Sequence, residues 1–279
     1  MVMQPEDIRA MVDAPEVADN LMQRASIRRF EERPVETEKI EAFVRAGQQA
    51  PFTGQMYSVI VTTERARREE LAGIFGPLVT GAPVFALVCV DFRRLEKFIA
   101  ARGRTNRTDD LSMLFLGIQD AAYMGQNMVL AAEALGLGSC FLGAAPFAAD
   151  QLREMFFMPS RVYPLVGLVL GYPAERPGPR PRIPLECVLH WDTYQDLTDE
   201  GVERALDVMD AGLIREGYYR RLNAKIPLDE EGKDELPADD DYGWGEHVSR
   251  KYSLLRLSGI RDMLSRSGID TSGSGEVQG

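Results

Sequence analysis

Between Leu111 and Gly138 the chain reads LSMLFLGIQDAAYMGQNMVLAAEALGLG, apolar on nearly every side of a helix. No other stretch restricts the fold as much. A helix with no polar face must be central, covered on several sides by its own fold or by a partner subunit. Residues 112–135 span about 36 Å at the helical rise per residue, and their alanines and glycines permit close packing. A membrane span is excluded because Gln119, Asp120, Gln126, Asn127 and Glu133 interrupt the run too often. Gly136 is placed to stop the helix at the C′ position.

Around this helix the pattern predicts a sheet. MYSVIVTTE (56–64), APVFALVCVDF (82–92), GSCFLGA and YPLVGLVLGYP (163–173) read as strands, the second and last fully buried. Helical spacing is predicted over 4–23, after Pro34, at ARREELAGIF, over 147–156, over 203–222 and over about 246–266. Residues 93–110 are charged and read as a mobile surface excursion. The fold class is therefore α+β, a central, mainly antiparallel sheet sandwiched by helices. Residues 1–270 read as a single domain, with a core at 20–200 and a helical C-terminal extension at 200–270. Residues 271–279 have the composition of a disordered tail.

The formal charge of -11 argues against nucleic-acid binding, and the N-terminus does not read as a signal peptide. Three scattered cysteines, Cys89, Cys140 and Cys187, fit a reducing cytoplasm better than a disulfide framework or a zinc site. His190 and His247 are too few for a histidine-based metal site and read as surface or interface residues. The acidic run at 229–243 lacks the ligand alternation of a calcium loop. Gly136, Gly138 and Gly143 do not fit GxGxxG, and no P-loop, HExxH or GxSxG occurs.

Two cationic stretches stand out against this acidic background. In RASIRRF, Arg24, Ser26 and Arg28 alternate, so an extended backbone would turn them to one face. Pairing of Arg28 and Arg29 with Glu31 and Glu32 is the plainer alternative. Downstream, RPGPRPRIP places Arg180 and Arg182 on a segment stiffened by four prolines, which lowers the entropy lost when the guanidinium groups are fixed. Arginine's planar fork suits phosphate, so the two pairs read as two sides of a phosphate clamp.

In their order, RASIRRF, APFTGQMYSVIV, APVFALVCVDF, IQDAAYMGQNMVLAAEALGLGSCFLGA, PLVGLVLGYPAERPGPRPRIP and LHWDTYQDL resemble the FMN-dependent nitroreductase family. The likeness is nearest its oxygen-insensitive NADPH nitroreductase and flavin reductase branch and covers roughly residues 20–200. It implies a cytoplasmic homodimer with FMN at the subunit interface, NADPH or NADH as electron donor, and a small aromatic electron acceptor. By resemblance, Arg24, Arg180 and Arg182 grip the FMN phosphate, and Ser26 meets the ribityl chain or pyrimidine edge. Arg28 lies near flavin N1 and O2 as the catalytic cation, and Gln55 lies near the pyrimidine ring. Ala25 stands where many relatives carry a polar residue, and the backbone of Leu142, Gly143 and Ala144 lines the ring face. Such a site needs no side-chain acid or nucleophile, because the flavin carries the redox step. A reductive dehalogenase, an oxidase, or a non-catalytic flavin-binding regulator on the same scaffold are the alternatives.

Overall fold

The structure is a computed structural model that describes residues 15–228, 235–254 and 259–272. The predicted tail beyond residue 272, the predicted helix before residue 15 and much of the acidic run lie outside these residues. The described chain falls into two compact units, residues 16–177 with 259–272, and residues 178–254.

The larger unit carries one four-stranded antiparallel sheet. Its strands are β1 (Tyr57–Thr62), β2 (Val84–Asp91), β3 (Gly138–Leu142) and β4 (Val162–Gly171), in the order β1-β2-β4-β3. β2 is apolar from Val84 to Val90 because both of its faces are covered. Val84, Ala86, Val88 and Val90 pack with Met113, Ala121, Met124 and Met128, while Phe85 and Leu87 face a second core with Leu71, Val79 and Leu152. The register shifts between Val88 and Cys89, opposite Pro164 and Val166 of β4. Proline has no N–H for the ladder, so such an irregularity is where it is tolerated.

The helices of this unit are α1 (Pro15–Met22), α2 (Thr37–Gly47), α3 (Arg65–Phe75), α4 (Leu78–Gly81), α5 (Phe92–Ala101), α6 (Asp110–Ala134) and α7 (Ala149–Met155). α6 is the expected long helix. Asp109 caps it by accepting from the Ser112 amide at 2.8 Å, and Gly136 ends it at φ 81°. A Cβ at Gly117 would lie 2.7 Å from Val90 Cγ1, so that glycine lets the helix press on the sheet. One stripe of α6 is left uncovered within its own chain. Leu111, Phe115, Ile118 and Tyr123 are exposed at helical spacing, Phe115 by 64%.

Residues 93–110 depart from expectation, because α5 runs through Ala101 and α6 begins at Asp110. Asp91 caps α5 by accepting from the Arg94 amide at 3.0 Å, and Phe92 and Leu95 supply the apolar contact that the surrounding charges obscure. The helix predicted over 147–156 begins as a 3-10 turn, Ala145–Ala148.

The second unit contains α8 (Asp199–Glu216), α9 (Tyr218–Arg221) and α10 (Trp244–Leu254). The pattern predicted over 203–222 is broken at Gly217, which adopts φ 62°. Met209 and Leu213 of α8 pack with Tyr219 and Tyr242 in a small aromatic core. The chain then returns to the larger unit as α11 (Ile260–Arg266). There Arg161 ties β4 to its neighbours. Its guanidinium meets Asp110 at 2.5 Å, Glu96 at 2.9 Å and the Gly268 carbonyl at 2.7 Å. Hydrogen bonding to Asp110, against the effect of burial, raises its pKa further.

Candidate functional site

RASIRRF is extended because it pairs with the sheet in two places. Ser26 bridges Ser139 of β3, with the Ile27 amide donating to the Ser139 carbonyl at 2.8 Å. Phe30 bridges Pro173, and the Glu31 amide donates to the Tyr172 carbonyl at 2.9 Å. Ile27 is buried against Gly138, where an added Cβ would come within 2.5 Å of Ile27 Cγ1. Ile27 thus anchors the segment, while Arg24, Ala25, Ser26 and Arg28 are half-buried and Arg29 is exposed.

The carboxylate that meets this segment is Glu175, rather than Glu31 or Glu32. It accepts from the Arg28 amide at 2.6 Å and the Arg29 amide at 3.1 Å, and pairs with Arg29 Nε at 3.0 Å. Burial pushes the Glu175 carboxyl up, but these hydrogen bonds prevail and hold it below its ordinary value. Glu175 therefore fixes the backbone beside Arg28. The Arg28 side chain bends back toward the Ser26 carbonyl, 3.4 Å from Nη1.

Arg24 is different. Its Nη1 is buried and has no hydrogen-bond partner among the described residues. Glu133 is near enough to feel its charge. Burial raises the Glu133 carboxyl, which Arg24 and the Ser139 hydroxyl at 3.4 Å draw back down. A buried donor without an acceptor carries a desolvation cost, and Arg24 sits where an anion would remove it.

Gln55 lies in the loop between α2 and β1, exposed, with a left-handed backbone at φ 51°. That loop is held by Asp120 of α6, only 1% exposed. One carboxylate oxygen accepts from the Thr53 amide at 2.6 Å, the other from the Gly54 and Met56 amides, each at 3.0 Å. On the opposite side Arg94 of α5 donates to the Gln55 carbonyl at 2.5 Å and to the Tyr57 carbonyl. After β3, Leu142 is half-buried, whereas Gly143 and Ala144 are exposed, with open space where a Gly143 Cβ would stand. Their backbone is accessible, as a ring-stacking surface requires.

Arg180 and Arg182 belong to the second unit. The Arg180 guanidinium lies 3.7 Å over the Tyr218 ring and 3.8 Å from Glu216. Arg182 donates to its neighbours' carbonyls, those of Arg180 and Pro181, each at 3.1 Å. Both line a cavity of about 530 Å³ with Trp244, His247, Lys251 and Tyr252, and no carboxylate of the described residues lines it. His247 stacks on Tyr219 at 4.4 Å, and burial, then Lys251, lowers its pKa. Arg220, Arg221 and Lys225, the other cations near the C-terminus, each pair with a carboxylate.

Sequence reasoning quoted Glu175 and Asp120 without seeing their part, and missed Arg94. Each acts on backbone far away in the chain, and neither spacing nor composition signals that. Within the larger unit, the buried orphan nitrogen of Arg24, the anchored Arg28 and the open backbone at Gly143 suit a phosphate-bearing planar cofactor such as FMN. Among the described residues no cluster of His, Cys, Asp or Glu could hold a metal ion, and no helix is long and apolar enough to cross a membrane.

Comparison with known proteins agrees with this geometry. Residues 21–172 match the model of the nitroreductase family. The chain is 31% identical to an FMN reductase [NAD(P)H] of Bacillus subtilis, over 91% of this chain and 98% of that one. It is 36% identical to an oxygen-insensitive NADPH nitroreductase of Salmonella typhimurium, over 64% of this chain and 75% of the relative. Among solved structures it resembles the hypothetical oxidoreductase YcnD from Bacillus subtilis with a TM-score of 0.77 at 31% identity, covering 91% and 98% of the two chains.

Proposed function

The chain belongs to the nitroreductase family, and from that premise we propose that it is an FMN-dependent oxidoreductase drawing electrons from NADPH or NADH. Its acceptors are nitroaromatics, quinones or free flavin, reduced two electrons at a time in alternating half-reactions. Residues 1–270 act together as the flavin-binding domain. The observation that carries the reading is the RASIRRF segment, pinned to the sheet with a buried, unpartnered Arg24 nitrogen beside an anchored Arg28.

Bound FMN would supply the redox chemistry, accepting hydride from the nicotinamide and delivering electrons to the acceptor. The chain supplies the setting. Arg24 holds the phosphate, so its buried donor gains its acceptor. Arg28 keeps a fixed positive charge at the N1 and O2 edge, where negative charge accumulates, and Glu175 keeps the Arg28 backbone from drifting. Ser26 and Gln55 contact the polar rim, Ala25 leaves room there, and the backbone of Leu142, Gly143 and Ala144 supports the ring. The exposed stripe of α6 is the homodimer contact, since a second copy is what removes such a surface from water.

The test is a spectrum. The purified protein should be yellow, bleach when NADPH or NADH is added without oxygen, and regain colour with a nitro compound. A preparation that takes up no FMN would refute the proposal, and a yellow protein that neither nucleotide bleaches would favour the regulatory alternative.

A further inference from the structure

We infer that Asp120 and Arg94 are positioning residues for the flavin chemistry, a two-sided clamp that fixes the backbone around Gln55 so that its amide is held toward the flavin. This rests on the reading that FMN binds beside Gln55. The starting observation is an oddity of residue type. Position 55 is left-handed at φ 51°, a conformation that glycine adopts freely and other residues rarely. A turn with no further duty is better served by glycine. Glutamine here, with its side chain exposed, means that the side chain is wanted and the surroundings impose the backbone.

Those surroundings are unusually complete. On the amide side, Asp120 spends both carboxylate oxygens on three backbone N–H groups, those of Thr53, Gly54 and Met56, which flank Gln55. Asparagine could not replace it, since its amide nitrogen would face a donor. On the carbonyl side, the Gln55 oxygen accepts from Arg94 at 2.5 Å and from the Tyr57 amide at 2.8 Å. Arg94 is itself set by Asp91, which accepts from its amide at 3.0 Å and from the Ser58 hydroxyl at 2.5 Å. The Tyr57 hydroxyl lies 3.4 Å from Gln55 Oε1, so the side-chain amide also has a local guide. Asp120 comes from α6 and Arg94 from α5, so two separate helices fix one residue of a connecting loop.

A double-mutant cycle tests the inference, with FMN affinity of the apoprotein and turnover of the holoenzyme as readouts. Q55A should weaken FMN binding by about tenfold, a typical value for one coupled contact. D120N should do the same in the native background yet cost less than about twofold in the Q55A background, because the residue it positions is gone. R94M, on a partly exposed residue, should show the same dependence on background and carries the test if D120N fails to fold. Equal penalties in both backgrounds would overturn the inference, making Asp120 a general scaffold residue, while the Q55A defect would leave flavin binding at Gln55 standing. A Q55A protein with native affinity would overturn it too. A native protein that binds no FMN removes it along with its parent reading, and is recognised before any variant is made.

Discussion

Arg24 and Arg28 sit on a segment bridged to the sheet through its backbone, whereas Arg180 and Arg182 sit on one stiffened by prolines and rested on α8 and α9. The first pair is carried by two bridges to the sheet, a buried isoleucine and the carboxylate of Glu175. In that pair, Arg24 Nη1 remains without an acceptor among the described residues. In the second pair the prolines stiffen the backbone, Arg180 rests on Tyr218, and Arg182 bonds the carbonyls beside it. Counting arginines treats the two stretches alike. Where the chain places their donors separates them, into one pair aimed by tertiary contacts and one pre-ordered by its own sequence.

The sharpest way to break this contrast is to remove what holds the first pair. E175A should cost about 2–4 kcal/mol in unfolding free energy, since two amides and Arg29 lose one charged acceptor, and denaturant melts would show it. A loss below about 0.5 kcal/mol would mean the bridges suffice. Next in size, R24A should weaken FMN binding by at least about tenfold while leaving thermal stability level or slightly raised, because it deletes an unsatisfied buried donor. Calorimetry beside a flavin titration separates the two effects, and a joint fall would contradict the assignment. R180A should cost about 1 kcal/mol through the lost stacking on Tyr218. R182A should change stability by less than about 0.5 kcal/mol, so any loss of FMN retention in that variant reports on the ligand.

Acidity probes the same contrast more gently. Glu175 has a folded pKa below its ordinary 4.5, so its contribution is complete above that value and is lost as pH falls through the lower folded one. Melting temperature should decline more steeply below about pH 4.5 in the native protein than in E175A. Parallel acid limbs would show that the carboxylate is not what holds the segment.

The sheet and α6 were legible because their signals are local. β2 is apolar from Val84 to Val90 since both faces are covered, and α6 is apolar on the side that meets the sheet and again along its exposed stripe. The alternation in RASIRRF said which side chains an extended backbone would bring to one face, while the bridges that extend it are tertiary. α5 was hidden because its large apolar residues, Phe92, Leu95, Phe98 and Ile99, are interspersed with Arg93, Arg94, Glu96 and Lys97, and its cap belongs to the preceding strand. Glu175 is 147 residues from Arg28, and Asp120 is 66 from Gly54. In the sequence Asp120 served only to argue against a membrane, since a carboxylate that accepts from backbone leaves no trace in residue type. The left-handed backbone of Gln55 is likewise imposed from outside and contradicts the preference of its own residue.

Asp120 is an anion whose compensation comes from peptide dipoles instead of a cation. Dissolved ions weaken a part-buried attraction less than one at the surface. Raising ionic strength should therefore loosen the exposed Arg29–Glu175 contact and leave the loop around Gln55 as taut as before. The Glu175 contact and the Gln55 loop would then answer a rise in salt differently, one yielding and one constant.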